Sequence, residues 1–208
     1  MSSAGVGVDE FAVMARQRLA AFRHTEVADA PGVRRAAVVL CVAEFDGAAC
    51  VIVIKRAYRG RNAGQWGLPG GRVEDGESAV GAALRELGEE LGLLLGEDAV
   101  LGRLDDFPAT SGFAITPIVA AVAGPVVLTP NHEVHAVYPV ELERLAAPDT
   151  PRWLPQPGGP PLLQMWLRPD MVMHAPTGAL LWQFREVVLL GHPDARAADF
   201  AQPEWTRR

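Results

Sequence analysis

Three glutamates stand close together in a predicted helix and are the residues of this sequence best suited to chemistry. They are Glu86, Glu89 and Glu90, in a segment that begins at Ser78 and ends at Gly92. Serine is a frequent helix N-cap and glycine a frequent residue just past a helix end, so a helix is expected between them. Neighbouring carboxylates repel one another unless a cation or a raised pKa relieves the repulsion, and clustered oxygens suit hard divalent ions. The cluster therefore predicts a site for Mg²⁺ or Mn²⁺.

An apolar stripe on the same helix predicts which side faces the core. Its residues recur at spacings of four, three and four: Val80, Leu84, Leu87 and Leu91. On a regular helix the three glutamates then project well away from the stripe, toward solvent and metal. The alternative interpretation is a solvated acidic face, on which Arg85 forms an ordinary i, i+4 pair with Glu89.

The acidic helix belongs to a longer motif with fixed spacing. Gly71 is followed after five residues by Glu77 and after seven more by the run RELGEELGL, from Arg85 to Leu93. The motif resembles the complete signature of the Nudix hydrolases, and the resemblance extends from about Val38 to about Leu142. It implies the Nudix fold, an α/β (α+β) architecture with a mixed β-sheet between helices. It also implies divalent-metal-dependent hydrolysis of a nucleoside diphosphate linked to another group, a small-molecule partner.

The resemblance implies roles for individual residues. The implied metal ligands are the carbonyl of Gly70 and the carboxylates of Glu86, Glu89 and Glu90. Arg85 would orient the carboxylates and Glu77 would tie the preceding loop to the helix, although both residues also fit a purely structural role. Gly71 and Gly92 are implied to be structural. Glu89 is the first candidate for the general base, and Glu133, outside the motif, is the second; the alternative for Glu133 is a solvated loop glutamate.

The residues around the motif are similar to those of the coenzyme A pyrophosphatase branch of the family. Upstream, Arg56-Ala57 and Arg61 fall in register with that branch, whereas Ile54 and Leu68 depart from it; downstream, the segment 111–117 is similar. Phosphate contacts are expected from Arg56, Arg59 and Arg61, because guanidinium groups offer paired donors to phosphate oxygens, with plain exposed charge as the alternative. The other substrates left open are ADP-ribose, a nucleotide sugar or another nucleoside diphosphate. A catalytically silent, ligand-sensing Nudix domain is a further alternative.

Composition limits the classes of function. The chain has 208 residues, 49% of them hydrophobic, and a formal net charge of −6. These values predict one globular domain and argue against a nucleic-acid-binding surface. No segment has the length and apolarity of a membrane span, and the first residues lack the pattern of a secretory signal, so a cytoplasmic location is expected. The sequence leaves a homodimer open. Cys41 and Cys50 are expected to be reduced core thiols.

Local patterns predict the remaining elements. They indicate a helix over about 9–23, a hairpin of strands 36–45 and 49–56, further strands over 114–123 and 134–142, and a late helix capped by Thr177. The Pro- and Gly-rich segment of about 147–161 predicts a long surface loop. We expect that loop to border the substrate cleft, with Trp153 as a contact. For Trp66 and Trp153 the alternatives are stacking on a base of the substrate and packing in the core.

Overall fold

A computed structural model describes residues 6–58, 63–156, 158–198 and 200–203. The helices in these residues are α1 (Val8–Ala21), α2 (Ala79–Leu91), α3 (Leu142–Ala146) and α4 (Thr177–Gln183). A short 3₁₀ turn covers Glu97–Ala99, and a π-helical segment, Phe184–Leu189, continues from α4. The strands are β1 (Arg34–Phe45), β2 (Ala48–Arg56), β3 (Trp66–Gly67), β4 (Gly70–Arg72), β5 (Val100–Arg103), β6 (Phe107–Pro108), β7 (Phe113–Pro125), β8 (Val134–Glu141), β9 (Pro151–Gln156), β10 (Gly159–Arg168) and β11 (Met171–Met173).

A mixed sheet organises the described part of the chain. Its main path runs β3-β2-β1-β7-β5, while β4 pairs with β1, β6 with β7 and β8 with β2. Strands β1 and β7 are parallel, and the other described pairs of this sheet are antiparallel. The turn at Asp46-Gly47 joins β1 to β2 as predicted, with positive φ at both residues, as a tight hairpin turn requires.

The two faces of this sheet are covered by different elements. Alternate residues of β1 point to opposite sides of the sheet. Val39 and Cys41 pack with Leu87 and Leu91 of α2. Leu40 packs on the other side, with residues of α1, α4, β10 and β11. The predicted class, a mixed sheet between helices, is confirmed. Cys41 and Cys50 are free and buried, and burial raises the pKa of the Cys41 thiol to about 12. No helix among the described residues is long and apolar enough to cross a bilayer.

The prediction of a long surface loop over 147–161 is wrong. Strands β9 and β10 form an antiparallel hairpin there, and with β11 they make a three-stranded sheet in the order β11-β10-β9. Proline is tolerated in a strand at a sheet edge, where its missing N–H faces away from the neighbour, and Pro151 and Pro155 lie in the edge strand β9. The proline content therefore marks an edge strand, not an irregular loop.

The late helix differs in detail from its prediction. Thr177 is the first residue of α4 and not its N-cap, because Pro176 occupies the cap position without a side-chain hydrogen bond. The predicted stop at Gly191 agrees with its positive φ of 77°. Helix α1 covers residues 8–21, close to the predicted bounds.

Candidate active site

Helix α2 is capped at both ends as its sequence predicts. The Ser78 hydroxyl accepts a hydrogen bond from the N–H of Gly81 at 2.9 Å, and Gly92 has a left-handed φ of 68°. Beyond the cap, the N–H of Asn131 donates to the carbonyl of Glu90 at 2.9 Å. The loop before β8 is therefore attached to the end of α2, which brings Glu133 toward the acidic residues of the helix.

Glu90 is buried, which corrects the expectation that it faces solvent. It is 2% exposed, and its Oε2 accepts a hydrogen bond from the N–H of Gly70 at 3.0 Å. The reason is its angular position: Glu90 lies only about 60° around the helix from Leu87, at the border of the apolar stripe and not opposite it. Burial raises the pKa of Glu90 to about 7, helped by the charges of Glu86 and Glu133 and opposed by the Gly70 N–H and Arg56.

Arg85 is bonded to three carboxylates of the motif. Its Nε donates to Glu77 at 3.0 Å, and its Nη1 donates to Glu86 at 3.0 Å and to Glu89 at 3.3 Å. Its Nη2 also donates to the carbonyl of Arg72 at 3.0 Å. The Arg85 guanidinium lowers the pKa of Glu77, whereas burial raises the pKa of Glu86 despite this partner. The arginine thus fixes the loop, the helix and two candidate metal ligands relative to one another.

Arg56 connects Glu90 to Glu133. Its Nη1 lies 3.7 Å from Glu90 Oε1, and its Nη2 lies 4.0 Å from Glu133 Oε2. The N–H of Ala57 donates to the carbonyl of Glu133 at 2.7 Å, which ties the end of β2 to the loop before β8. The structure therefore places Glu133 beside the acidic helix, although the two are more than forty residues apart in the chain.

Two glycines of β4 are required by close packing. A Cβ at Gly70, which has a φ of 153°, would collide with the backbone of Ala37 and Val38. A Cβ at Gly71 would collide with the carboxylate of Glu86. These contacts explain why glycine is needed at both positions: β4 lies against β1 on one side and against the carboxylates of α2 on the other.

The donor set suits a hard divalent ion, and Arg85 holds two of its side chains, Glu86 and Glu89. Glu90 is a buried carboxylate whose partners, one N–H and a distant guanidinium, compensate its charge only in part. Glu86 and Glu89 supply further oxygens on the same helix. In the part of the chain that the structure describes, no three His, Cys, Asp or Glu side chains converge closely enough to hold an ion as they stand. Arg85 bonds Oε1 of Glu86 and Oε2 of Glu89, and a carboxylate has two acceptor oxygens, so both groups can bind an ion while Arg85 holds them.

A cleft of about 550 Å³ adjoins these residues. Arg56, Gly70 and Gly71 line it on the side of the acidic helix, and Trp66 contributes its indole ring. Trp66 is half-buried and its Nε1 donates to the carbonyl of Asp170 at 3.2 Å, so it belongs to the core and to the cleft wall. The predicted phosphate contacts Arg59 and Arg61 lie outside the described residues.

Trp153 does not line this cleft, contrary to expectation. Its ring packs 5.2 Å from that of Phe200 and 6.3 Å from that of Trp182, between centroids. The cleft is lined instead by residues 172–177, at and after β11, together with Leu180 and Gln202. Sequence reasoning missed these residues, because they follow the motif by about a hundred positions and no local pattern links them to it. Ser111 and Phe113 also line the cleft, within the segment 111–117 that was singled out.

This chain is similar to known proteins in family and in fold. The NUDIX domain family matches residues 33–185 of this chain. Proteins of Yersinia pestis and Yersinia pseudotuberculosis named "Uncharacterized Nudix hydrolase NudL" are 32% identical over 101 residues, 48% of this chain and 51% of theirs. The chain thus matches about half the length of these curated relatives. A MutT/nudix family protein from Enterococcus faecalis has a similar fold, with a TM-score of 0.52 and 17% identity, covering 79% of this chain and 65% of that one. Because the family match spans well over half of the sequence, the chain belongs to the Nudix family.

Proposed function

We propose that the protein hydrolyses the phosphoanhydride bond of a nucleoside diphosphate linked to a second group. The observation that carries this proposal is the position of Arg56 between Glu90 and Glu133, with Glu86 close enough for its charge to act on Glu90, beside a cleft that Arg56 and Gly70 line. The two phosphates of a diphosphate are negatively charged, so binding them beside carboxylates requires positive charge. This arrangement supplies an arginine and a donor set for a metal cation. We propose residues 1–208 as a single Nudix domain acting in the cytoplasm.

The residues would divide the chemistry as follows. Glu86, Glu89, Glu90 and the Gly70 carbonyl would hold Mg²⁺ or Mn²⁺, and Arg85 would orient the first two carboxylates. The bound ion supplies neutralisation of the diphosphate oxygens and activation of water. Arg56 would bind a phosphate oxygen from the cleft side. A water oxygen forms a bond to one phosphorus, the bridging oxygen leaves with the other phosphate, and a carboxylate takes the proton of the water.

Two glutamates are candidates for that proton acceptor. Glu89 is 57% exposed and hydrogen-bonded to Arg85, whereas Glu133 is 52% exposed and lies near Arg56. We take Glu89 first, because it lies on the same helix as the proposed ligands. Replacing the base by glutamine should remove the acidic limb of the pH profile of kcat, and the same change in the other glutamate should leave that limb in place.

We propose coenzyme A or an acyl derivative as the substrate, giving 3′,5′-ADP and a 4′-phosphopantetheine product. This finer proposal rests on the resemblance of Arg56-Ala57, Arg61 and the segment 111–117 to the coenzyme A pyrophosphatase branch. Coenzyme A carries a 3′-phosphate that ADP-ribose lacks, and an arginine could pair with it bidentately. Arg61→Ala should weaken use of coenzyme A more than use of dephospho-coenzyme A, by about 1.5 to 3 kcal/mol.

The test is a panel of coenzyme A, acyl-coenzyme A, ADP-ribose, nucleotide sugars and dinucleoside polyphosphates, assayed with Mg²⁺ and with Mn²⁺, with products identified by mass. Hydrolysis of at least one compound at a phosphoanhydride bond supports the general proposal. A higher kcat/KM for ADP-ribose than for coenzyme A would overturn the finer one. No hydrolysis of any compound would overturn both and favour a ligand-sensing domain.

A further inference from the structure

Gln202 uses its whole side-chain amide to hold the loop between β6 and β7. Its Oε1 accepts hydrogen bonds from the N–H of Thr110 at 3.1 Å and from the Thr110 hydroxyl at 3.2 Å. Its Nε2 donates to the carbonyl of Pro108 at 3.2 Å. A carboxamide oxygen accepts while its NH₂ donates, so this pattern fixes the orientation of the amide and matches two different parts of the loop.

The segment that carries Gln202 has a second anchor. The ring of Phe200 packs edge-on against Trp182 at 4.7 Å and against Trp153 at 5.2 Å, between centroids. Pro203, on the other side of Gln202, is buried. Residues 200–203, which we name the 200–203 strap, are therefore held by aromatic packing at Phe200 and by hydrogen bonds at Gln202.

The strap lies at one end of the cleft. Gln202 lines the cleft together with Ser111 and Phe113, which belong to or follow the loop that it holds. Phe113 pairs with Arg34 at the start of β1, whereas Gly70 pairs with Val38, four residues further along that strand. At the rise of an extended strand, the two pairs lie on the order of 13 Å apart. The strap thus borders a region of the cleft on the order of 13 Å along β1 from Gly70, whose N–H bonds Glu90.

The loop is also held by the central sheet, through the pairing of β6 with β7 and through Arg34. The Arg34 guanidinium donates to the carbonyl of Ser111 at 2.6 Å and lies 4.0 Å from the centre of the Phe113 ring. Arg34 belongs to the central sheet, whereas Gln202 belongs to the strap. Removing the bonds of Gln202 would leave the loop attached to the sheet but free to move away from the strap.

We propose that Gln202 is a positioning residue that sets substrate specificity: by holding Pro108 and the loop 109–112, it shapes the end of the cleft that receives the part of the substrate furthest from the hydrolysed bond. This inference rests on the proposed hydrolysis and adds to it the element that recognises the remote group. Gln202 acts through Ser111 and Phe113 and takes no part in the chemical step.

The test compares Gln202→Met with the wild-type enzyme. Methionine has a similar length and flexibility but cannot make the three hydrogen bonds, so packing is largely kept. We expect KM for the best substrate of the panel to rise about five- to tenfold, with kcat within twofold of wild type. Inhibition by inorganic pyrophosphate, which has no group to reach the remote end, should be unchanged. Gln17→Met, at an exposed position of α1, is the matched control and should change none of these values.

Hydrogen exchange separates failure of this inference from failure of the proposed hydrolysis. In Gln202→Met the amide of Thr110 should exchange faster than in wild type, whether or not any substrate is turned over. Unchanged exchange at Thr110 would overturn the positioning role. Faster exchange with an unchanged KM would overturn the role in specificity. A rise in KM matched by an equal weakening of pyrophosphate inhibition would also overturn it. Absence of hydrolysis by the wild-type enzyme would instead overturn the proposed function on which that role depends.

Discussion

The carboxylate of Glu86 covers Gly71, so that a Cβ at this position would occupy the place of the carboxylate. The neighbouring Gly70 is covered instead by the backbone of Ala37 and Val38. These two adjacent glycines are therefore needed for different reasons. One leaves room for a movable side chain of the proposed active site, and the other leaves room for a strand of the central sheet.

Alanine substitutions should separate these two requirements. Gly71→Ala should displace the Glu86 side chain, lower kcat by about a hundredfold and reduce the free energy of unfolding by less than about 1 kcal/mol, because only a flexible side chain must move. Gly70→Ala should destabilise the protein by more than about 3 kcal/mol, since backbone atoms must move and φ is positive. Urea unfolding and steady-state kinetics of both variants check this. A Gly71→Ala enzyme with wild-type kcat would contradict the placement of Glu86.

Glu90 should make the stability of the metal-free protein depend on pH. Its pKa of about 7 in the folded state lies above the value of about 4.5 expected in the unfolded chain, so the folded state binds the proton more tightly. Stability should therefore decrease as pH rises from about 4.5 to 7, by up to about 3 kcal/mol, and should change little above that range. Glu90→Gln cannot lose a proton and should not show this decrease.

The measurement is the free energy of unfolding in chelator between pH 5 and 8, for wild type and for Glu90→Gln. Contributions from other groups are largely shared, so the difference between the two proteins isolates residue 90. The variant should become the more stable of the two as pH rises. A difference that does not vary with pH would show that Glu90 titrates normally.

The fold was predictable where the signals are local, and the site was predictable where they lie in one motif. Ser78 and Gly92 cap α2 as expected, and Leu87 and Leu91 face the core, because caps and apolar periodicity depend only on nearby residues. The burial of Glu90 was missed because Glu90 lies at the border of the apolar stripe, where only the approach of β4, a tertiary contact, decides between core and solvent. The small sheet was missed because prolines in β9 indicate a loop unless the strand is known to be at an edge.

The part of the cleft lining that comes from residues after β10 could not be predicted, for a related reason. Val172 lies in β11 and Gln202 lies beyond α4, so both line the cleft through tertiary contacts, and nothing in their local sequence indicates a binding site. Glu133 could be singled out from a resemblance, whereas its proximity to Arg56 depends on the pairing of β2 with β8.

Arg85 should be replaceable by lysine only with loss of activity. A lysine is a point charge without the planar fork that bonds Glu77, Glu86 and Glu89 together, so the carboxylates would lose their fixed geometry. We expect Arg85→Lys to lower kcat by about ten- to a hundredfold, with a modest effect on stability because the group is partly exposed. Arg16→Lys, which alters an arginine that donates to the backbone carbonyls of Asp98 and Val100, is the control and should retain wild-type kcat. If Arg85→Lys kept the kcat of wild type, the fixed geometry that Arg85 gives to the carboxylates would not be needed for catalysis.

Divalent ions should stabilise the folded protein through Glu90. Binding to the folded state alone raises stability by mass action, so saturating Mg²⁺ or Mn²⁺ at pH 8 should raise Tm by several degrees. Glu90→Gln should show a smaller shift, because an amide is a weaker ligand than a carboxylate. Thermal unfolding with and without the ion measures both shifts. An unchanged Tm for wild type would count against a site on α2.

The most direct test of the account measures hydrolysis of the best substrate in the panel by wild type and by Glu90→Gln, each with Mg²⁺ or Mn²⁺ and with excess chelator. Wild type should turn over only with the ion, and turnover should return when the ion is restored. Glu90→Gln should lose at least about a hundredfold in kcat while keeping a folded circular dichroism spectrum. Full turnover by wild type in chelator, or by a folded Glu90→Gln enzyme with the ion, would contradict the proposal that the acidic residues of α2 catalyse metal-dependent hydrolysis.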